Sequence, residues 1–154
     1  MQLKGKILII DDNPDIGETL SDILKGEGYL CSIAYNRAQA IEILSRGNYH
    51  QAIVDVMLPD GDGVQLVGEI QSLRSGIRCL SMTAYPRQGL QESALGTGAR
   101  DFLTKPLDIP YLIKLLEEYS GIPVLIVEDD LVFAESLKEY LAARGYRAYI
   151  ARDW

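Results

Sequence analysis

The stretch Ile7-Leu8-Ile9-Ile10-Asp11-Asp12 decides the fold class of this chain. Four consecutive apolar residues are typical of a strand that is buried on both faces, as in a parallel sheet covered by helices. Apolar residues then recur at the spacing i, i+4, i+7 and i+8, namely Ile16, Leu20, Ile23 and Leu24. This spacing predicts one face of a helix, so the chain opens with the strand–helix unit of an α/β fold.

The same alternation continues over the first 120 residues. Four further strands are predicted, at residues 29–34, 52–54, 77–82 and 102–103. Each is followed by a segment of helical period; the fourth helix, over residues 87–95, is weakened by glycines, and the last begins after Asp108. Because right-handed crossovers place helices on both sides of a parallel sheet, five such units predict a doubly wound α/β domain. Periodicity alone leaves the strand order open.

The end of the chain repeats its beginning. A shift of 117 positions (128 − 11) superposes residues 124–129, VLIVED, on residues 7–12, ILIIDD. The helical stripe recurs as well, at Phe133, Leu137, Tyr140 and Leu141. We therefore predict a complete domain over residues 1–120 and the first β-α-β of a second copy over residues 121–154. The sequence leaves open whether this fragment is ordered, docked or paired with another protomer.

Composition and charge exclude several classes of function. Hydrophobic residues make up 47% of the 154-residue chain, which is enough for a core. The net charge of −7 disfavours nucleic-acid binding, which needs a positive surface. The apolar runs are too short to span a bilayer, and the N-terminus does not resemble a secretory signal, so we expect a cytoplasmic protein. Cys31 and Cys79 are predicted to be reduced core residues, and His50 a structural residue before a strand.

Reactive side chains follow four of the five predicted strands. Asp11 and Asp12 end the first strand, Asp55 the third, Thr83 the fourth, and Lys105 follows the fifth. In an open parallel sheet, ligands bind outside the carboxyl ends of the strands. We therefore expect three carboxylates, a hydroxyl and an ammonium group to meet at one edge of the sheet.

The charges of this group indicate a cation. Two carboxylates about 4 Å apart repel each other by roughly 4 kcal/mol at an effective dielectric constant near 20. Three carboxylates and one lysine leave a local charge of −2, so either a carboxylate is protonated or a divalent cation binds. Oxygen ligands without Cys or His favour magnesium, and magnesium with a nucleophilic carboxylate suits phosphoryl transfer.

Four stretches, in this order, resemble the receiver domain of bacterial response regulators and hybrid kinases. They are ILIIDDN (residues 7–13), IVDVMLPDGDG (residues 53–63), SMTA (residues 81–84) and GARDFLTKP (residues 98–106). The resemblance covers residues 1 to about 120 and implies a flavodoxin-like five-stranded parallel sheet of order 2-1-3-4-5. It also implies that the chain is a two-component signalling domain that assists its own phosphorylation and dephosphorylation, and that its parent is a response regulator or a hybrid histidine kinase.

The resemblance implies a role for each matched residue. Asp55 would accept the phosphoryl group, Lys105 would pair with a phosphoryl oxygen, and Thr83 would hydrogen-bond it. The implied magnesium ligands are Asp11 (mainly through water), Asp12, Asp55 and the backbone carbonyl of Met57. Thr83 and Phe102 would form the activation switch; since Phe102 has no hydroxyl group, its part would rest on packing.

The resemblance also implies partners. The phosphoryl donor would be a phosphohistidine on a histidine kinase or a histidine phosphotransfer protein. A downstream effector would read the face formed by the fourth helix, the fifth strand and the fifth helix. No nucleic-acid or membrane partner is expected through this chain, and homodimer formation is left open.

Two other classes of function compete with this interpretation. One is a binding module that has lost phosphorylation and acts only through its partners. The other is a hydrolase with an aspartate nucleophile, as in dehalogenase-like phosphatases, but those place D-x-D after the first strand, whereas Asp11 and Asp12 are adjacent. The segment Asp60-Gly61-Asp62-Gly63 is interpreted as a turn without a metal. In the C-terminal copy, Glu128 and Asp129 have no acceptor Asp, Thr or Lys to accompany them, so we expect no phosphorylation there.

Overall fold

The computed structural model describes residues 3–74, 76–118, 122–143 and 146–151. The elements are, in chain order, β1 (Gly5–Ile10), α1 (Pro14–Gly26), β2 (Tyr29–Ala34), α2 (Arg37–Arg46), β3 (Gln51–Asp55), β4 (Met57–Leu58), β5 (Gly61–Asp62), α3 (Gly63–Leu73), β6 (Arg78–Thr83), α4 (Leu90–Thr97), β7 (Ala99–Thr104), α5 (Ile109–Glu118), β8 (Ile122–Val127), α6 (Leu131–Ala142) and β9 (Tyr146–Ala151). Five strands form one parallel sheet in the order β2-β1-β3-β6-β7. This order is 2-1-3-4-5 among the strands of the sheet, so the predicted fold class is confirmed.

The sheet is covered on both faces by apolar side chains. Along β1, Ile7 and Ile9 belong to a core cluster with α1 and α5, while Leu8 and Ile10 belong to a second cluster with α2, α3 and α4. All four side chains are fully buried. The alternation explains why the opening strand is a continuous apolar run, since both of its faces pack against helices.

Capping residues determine where the helices that follow β1 and β7 begin. The side chain of Asn13 caps α1 by accepting hydrogen bonds from the backbone N–H groups of Asp15 and Ile16, and Pro14 is the first helical residue. In the same way, Asp108 accepts a hydrogen bond from the backbone N–H of Tyr111 at the start of α5. The predicted cap of the last helix is therefore present.

Two elements differ clearly in extent from the sequence-based prediction, and one strand pair was not predicted. The fifth strand of the sheet, β7, covers residues 99–104 rather than 102–103, because it pairs with β6 along most of its length. The fourth helix begins at Leu90 rather than at residue 87, since Gly89 before it has a left-handed backbone with φ of 80°. The short antiparallel pair β4–β5 was not predicted. The sequence also predicts Tyr119 on the buried face of the last helix, but this residue lies outside the described ranges.

The three residues predicted to be structural, His50, Cys31 and Cys79, have structural positions. The imidazole Nδ1 of His50 accepts a hydrogen bond from the backbone N–H of Lys6 at 2.9 Å, which ties the loop before β3 to β1. Cys31 and Cys79 are free thiols, and burial raises their pKa to about 11 and about 12, respectively. Neither thiol is therefore appreciably ionised at neutral pH.

The C-terminal elements form a separate β-α-β unit. Strands β8 and β9 make a parallel two-stranded sheet, and α6 connects them. Neither core cluster of the larger sheet includes a described residue beyond Leu116. Within the described ranges, no helix combines the length and apolar character required to cross a membrane.

Candidate functional site

A cleft of about 300 Å³ lies at the carboxyl ends of β1, β3 and β6. Its lining includes six of the seven site residues predicted from the sequence: Asp11, Asp12, Asp55, Met57, Thr83 and Lys105. These residues come from four separate segments of the chain, and the parallel topology brings them to one edge, as expected for this class of sheet.

Lys105 links two carboxylates across the cleft. Its Nζ lies 2.7 Å from Oδ2 of Asp11 and 2.9 Å from Oδ2 of Asp55. Burial alone would lower the pKa of Lys105, but the hydrogen bonds to both aspartates outweigh it and the pKa is raised. The backbone supports this position, because the N–H of Lys105 donates to the carbonyl of Thr83 at 2.8 Å. The Lys105–Pro106 peptide bond is cis.

Asp55 is the last residue of β3 and is almost completely buried. Burial raises the pKa of its carboxyl group, while the hydrogen bonds from Lys105 and from the backbone N–H of Met57 act in the opposite direction. Its Oδ1 accepts the Met57 N–H at 3.0 Å. Both carboxylate oxygens are thus oriented by donors, which fixes the side chain in the cleft.

The turn after Asp55 depends on a glycine. The backbone N–H of Gly63 donates to the carbonyl of Val56 at 2.7 Å, which joins the two residues that flank the β4–β5 hairpin. A Cβ atom at position 63 would lie 1.9 Å from the carbonyl oxygen of Asp55. Only glycine permits this approach, which sets the direction of the chain through Met57 next to the cleft.

The acidic side chains can supply a cation site. One carboxylate oxygen from each of Asp11, Asp12 and Asp55 lies within 4.8 Å of the others. Asp11 is fully buried and accepts the backbone N–H of Asn13 at 2.9 Å, whereas Asp12 is exposed to solvent. Three carboxylates at this spacing match the oxygen donors that magnesium prefers, so the residues present fit this ion.

Thr83 lines the cleft and is 1% exposed. Its Oγ1 accepts the backbone N–H of Tyr85 at 3.1 Å, and Tyr85 also lines the cleft with a side chain that is 71% exposed. The sequence interpretation missed Tyr85 and Asn13; the signal was their position one or two residues beyond predicted site residues.

The seventh predicted residue, Phe102, is outside the cleft lining and packs half-buried against the cluster formed with α2, α3 and α4.

A doubly wound sheet of this strand order, with an oxygen-rich acidic cleft at its carboxyl edge, defines a flavodoxin-like α/β domain. The family model of the response regulator receiver domain matches residues 7–117, and the chain belongs to this family. It is thus a receiver domain of two-component response regulators, a signalling domain.

The chain is similar in sequence to several individual proteins. The chain is 36% identical over 115 residues to an uncharacterized 14.6 kDa protein in the sodA1 3' region of Leptolyngbya boryana, covering 73% of this chain and 88% of that protein. It is 31% identical over 147 residues to the response regulator receiver protein Anae109_2439 of an Anaeromyxobacter species, covering 95% of this chain. It spans 62% of that protein, and 25% of the transcriptional regulatory protein ZraR of Escherichia coli.

A solved structure has the same fold. The chain superposes with a TM-score of 0.67 and 27% identity on the response regulator protein TrrA of Thermotoga maritima in complex with Mg²⁺ and BeF. The match covers 74% of this chain and 97% of that one.

Proposed function

We propose that this receiver domain accepts a phosphoryl group on Asp55 from a phosphohistidine of a histidine kinase or phosphotransfer protein, in a two-component relay of the cytoplasm. The observation that carries the proposal is the position of Lys105, whose ammonium group is within 3 Å of both Asp11 and Asp55. An ammonium group held beside the acceptor carboxylate can pair with an oxygen of the incoming phosphoryl group, and the remaining negative charge of the carboxylates is what a bound magnesium ion would offset.

The transfer is a substitution at phosphorus. The carboxylate of Asp55 forms an O–P bond while the P–N bond to the donor imidazole breaks, and the imidazole nitrogen keeps the electron pair and takes up a proton. Lys105 would release Asp55 and pair with a phosphoryl oxygen, and the hydroxyl of Thr83 would donate to another. Asp55 would need to be ionised, and the hydrogen bonds from Lys105 and the Met57 N–H favour that form.

We assign the magnesium site to the carboxylates of Asp11, Asp12 and Asp55 and the backbone carbonyl of Met57. When bound, magnesium supplies positive charge that offsets the developing charge on the phosphoryl oxygens. The spacing of the three carboxylates supports this assignment, as does the Mg²⁺ and BeF complex of the Thermotoga maritima relative.

Signal output is assigned to the face formed by α4, β7 and α5. Thr83 at the end of β6 and Phe102 on β7 lie in adjacent paired strands, with Phe102 opposite Ser81. If the hydroxyl of Thr83 moves towards the phosphoryl group, space opens on the side of the sheet where Phe102 packs. A change in the packing of Phe102 would then alter this face, which a downstream effector would read.

Phosphorylation can be tested with acetyl phosphate and Mg²⁺, followed by intact-mass measurement. We expect the added mass of one phosphoryl group, removable by hydroxylamine because an acyl phosphate reacts with this nucleophile. Asp55→Asn should abolish the labelling, whereas Asp22→Asn, at an exposed position of α1, should label like the natural sequence. Labelling that is equal in Asp55→Asn would refute the assignment of Asp55.

The magnesium assignment needs a separate measurement. Isothermal titration of the unphosphorylated protein with MgCl₂ should detect one site, weakened at least tenfold by Asp12→Asn. An Asp12→Asn variant that binds Mg²⁺ as tightly as the natural sequence would remove Asp12 from the ligand set and leave the role of Asp55 untouched.

A further inference from the structure

The β8-α6-β9 unit repeats the first β-α-β of the receiver domain, residue for residue. Strand β1 pairs with β2 from Gly5 opposite Tyr29 to Ile10 opposite Ala34. Strand β8 pairs with β9 from Ile122 opposite Tyr146 to Val127 opposite Ala151. Every one of these partners is displaced by 117 positions, the shift that superposes the two sequences.

The turn between strand and helix repeats as well. Helix α6 begins 117 residues after the start of α1, and its cap Asp130 corresponds to Asn13. In the first copy, Oδ1 of Asp11 accepts the backbone N–H of Asn13 at 2.9 Å; in the second, Oε1 of Glu128 accepts that of Asp130 at 2.9 Å. Agreement at this level requires the same backbone path and not only a similar hydrophobic pattern.

The two copies differ in what covers them. In α1, Leu20 and Leu24 are 3% and 0% exposed, because side chains of β3, β6, β7 and α5 complete their core cluster. In α6, their counterparts Leu137 and Leu141 are only half-buried. Phe133 and Tyr140, the counterparts of the half-buried Ile16 and Ile23, are 55% and 54% exposed. The unit buries Ile126 and Ala134 but leaves most of its helical stripe uncovered.

The strand edge shows the same difference. Strand β1 pairs with β2 on one side and with β3 on the other, so both of its edges are used. Among the described residues, β8 pairs with β9 and with no other strand. Its second edge therefore presents unpaired backbone groups at the place where the first copy binds β3.

We infer that residues 122–151 are the opening unit of a second receiver-type domain, whose β8 edge and exposed α6 stripe bind the rest of that fold. The occupant is a parallel strand equivalent to β3 together with a helix equivalent to α5, supplied by polypeptide that follows the unit. The first copy supports this inference, because there β3 pairs with the edge of β1 and α5 packs in the same core cluster as α1. The match to the Anaeromyxobacter relative runs through 95% of this chain and therefore includes most of the C-terminal unit.

A chimera tests the inference directly. Residue 151 corresponds to Ala34, so a second copy of residues 35–118 joined after Ala151 would continue the fold in register. In the natural 154-residue chain, we expect the β8 amides that face away from β9 to exchange rapidly with deuterium. In the chimera, the same amides should exchange at least a hundredfold more slowly, because the grafted strand pairs with them.

Two substitutions serve as controls for specific docking. Phe133→Glu and Tyr140→Glu should leave exchange in the 154-residue chain unchanged, since both side chains are exposed there. In the chimera they should return the exchange of β8 to the fast rate. Protection that survives both substitutions, or a chimera without added protection, would refute docking of the graft on this surface.

A measurement on the natural 154-residue chain tests the alternative occupant of this surface, which is a second copy of this chain. Sedimentation velocity should give a monomer at micromolar concentration. A dimer that Phe133→Glu dissociates would show that the stripe serves self-association and would overturn the assignment to a following segment.

Discussion

Lys105 is the residue that keeps two buried carboxylates close together. Without its ammonium group, Asp11 and Asp55 would face each other in a poorly solvated cleft, where repulsion between like charges is on the order of several kcal/mol. The acidic cleft is therefore a local source of instability that one lysine, and in our proposal one magnesium ion, offsets.

Replacing Lys105 by Met tests this role. We expect Lys105→Met to lower the free energy of unfolding by about 2–4 kcal/mol in EDTA, since it leaves buried charge uncompensated. Saturating Mg²⁺ should restore part of the loss because the cation can take over the compensation. Urea unfolding with EDTA and with Mg²⁺ measures both values. Lys114→Met, at an exposed position of α5, is the control; an equal loss in both variants would contradict the argument.

His50 gives the domain a pH-dependent contribution far from the cleft. Burial, aided by the nearby charge of Lys6, lowers the pKa of His50 below its ordinary value of 6.5. A lowered pKa in the folded state means that the neutral form is favoured there. This contribution to stability is complete above about pH 6.5 and is lost as the pH falls through the folded pKa.

The measurement is simple because His50 is the chain's single histidine. Its imidazole ¹H signals should titrate with a pKa below 6.5 in the folded protein. The free energy of unfolding should fall between pH 7 and pH 5 more steeply than in His50→Gln, which cannot take up the proton. A folded pKa at or above the ordinary value would contradict the buried acceptor role of Nδ1.

Gly63 is required by the turn after Asp55. Gly63→Ala places a methyl group against the Asp55 backbone, so we expect a loss of at least about 3 kcal/mol in the free energy of unfolding. Gly96→Ala is the matched control: this glycine is inside α4 with no atom within 4 Å of an added Cβ. It should gain roughly 0.5–1 kcal/mol from better helix propensity. Chemical denaturation of both variants measures the contrast, and two changes of the same sign would contradict it.

At the level of secondary-structure elements, the sequence predicted the features that are determined by residues close together in the chain. The apolar run of β1, the stripe of α1 and the cap of the last helix at Asp108 agree with the structure because each is determined by neighbours in sequence. The site could be anticipated because parallel strands end at a common edge. The start of α4 could not be anticipated, since it depends on the left-handed backbone of Gly89. The length of β7 could not be anticipated either, since it depends on pairing with β6. The hydrogen bonds from Lys105 to both Asp11 and Asp55 also depend on contacts between distant segments of the chain, so the sequence did not predict them.

The two copies of the β-α-β unit allow one substitution to be compared in two environments. Leu24 of α1 is fully buried, whereas its counterpart Leu141 of α6 is only half-buried. We expect Leu24→Ala to cost about 2–5 kcal/mol and Leu141→Ala less than about 1 kcal/mol, because the second site has few neighbours to lose. Urea unfolding of the 154-residue chain gives both values. Equal losses would show that α6 is covered in solution.

For the whole molecule, the question is whether the receiver domain depends on the C-terminal unit. Both core clusters are complete by Leu116 among the described residues, so the domain has its own core. We expect deletion of residues 121–154 to change the free energy of unfolding of the receiver domain by less than about 1 kcal/mol, as measured by urea denaturation. Leu112→Ala in the shortened chain should lose about 2–5 kcal/mol, since Leu112 is fully buried under the sheet. A larger loss from the deletion than from Leu112→Ala would mean that the C-terminal unit packs on the receiver domain and that the two fold together.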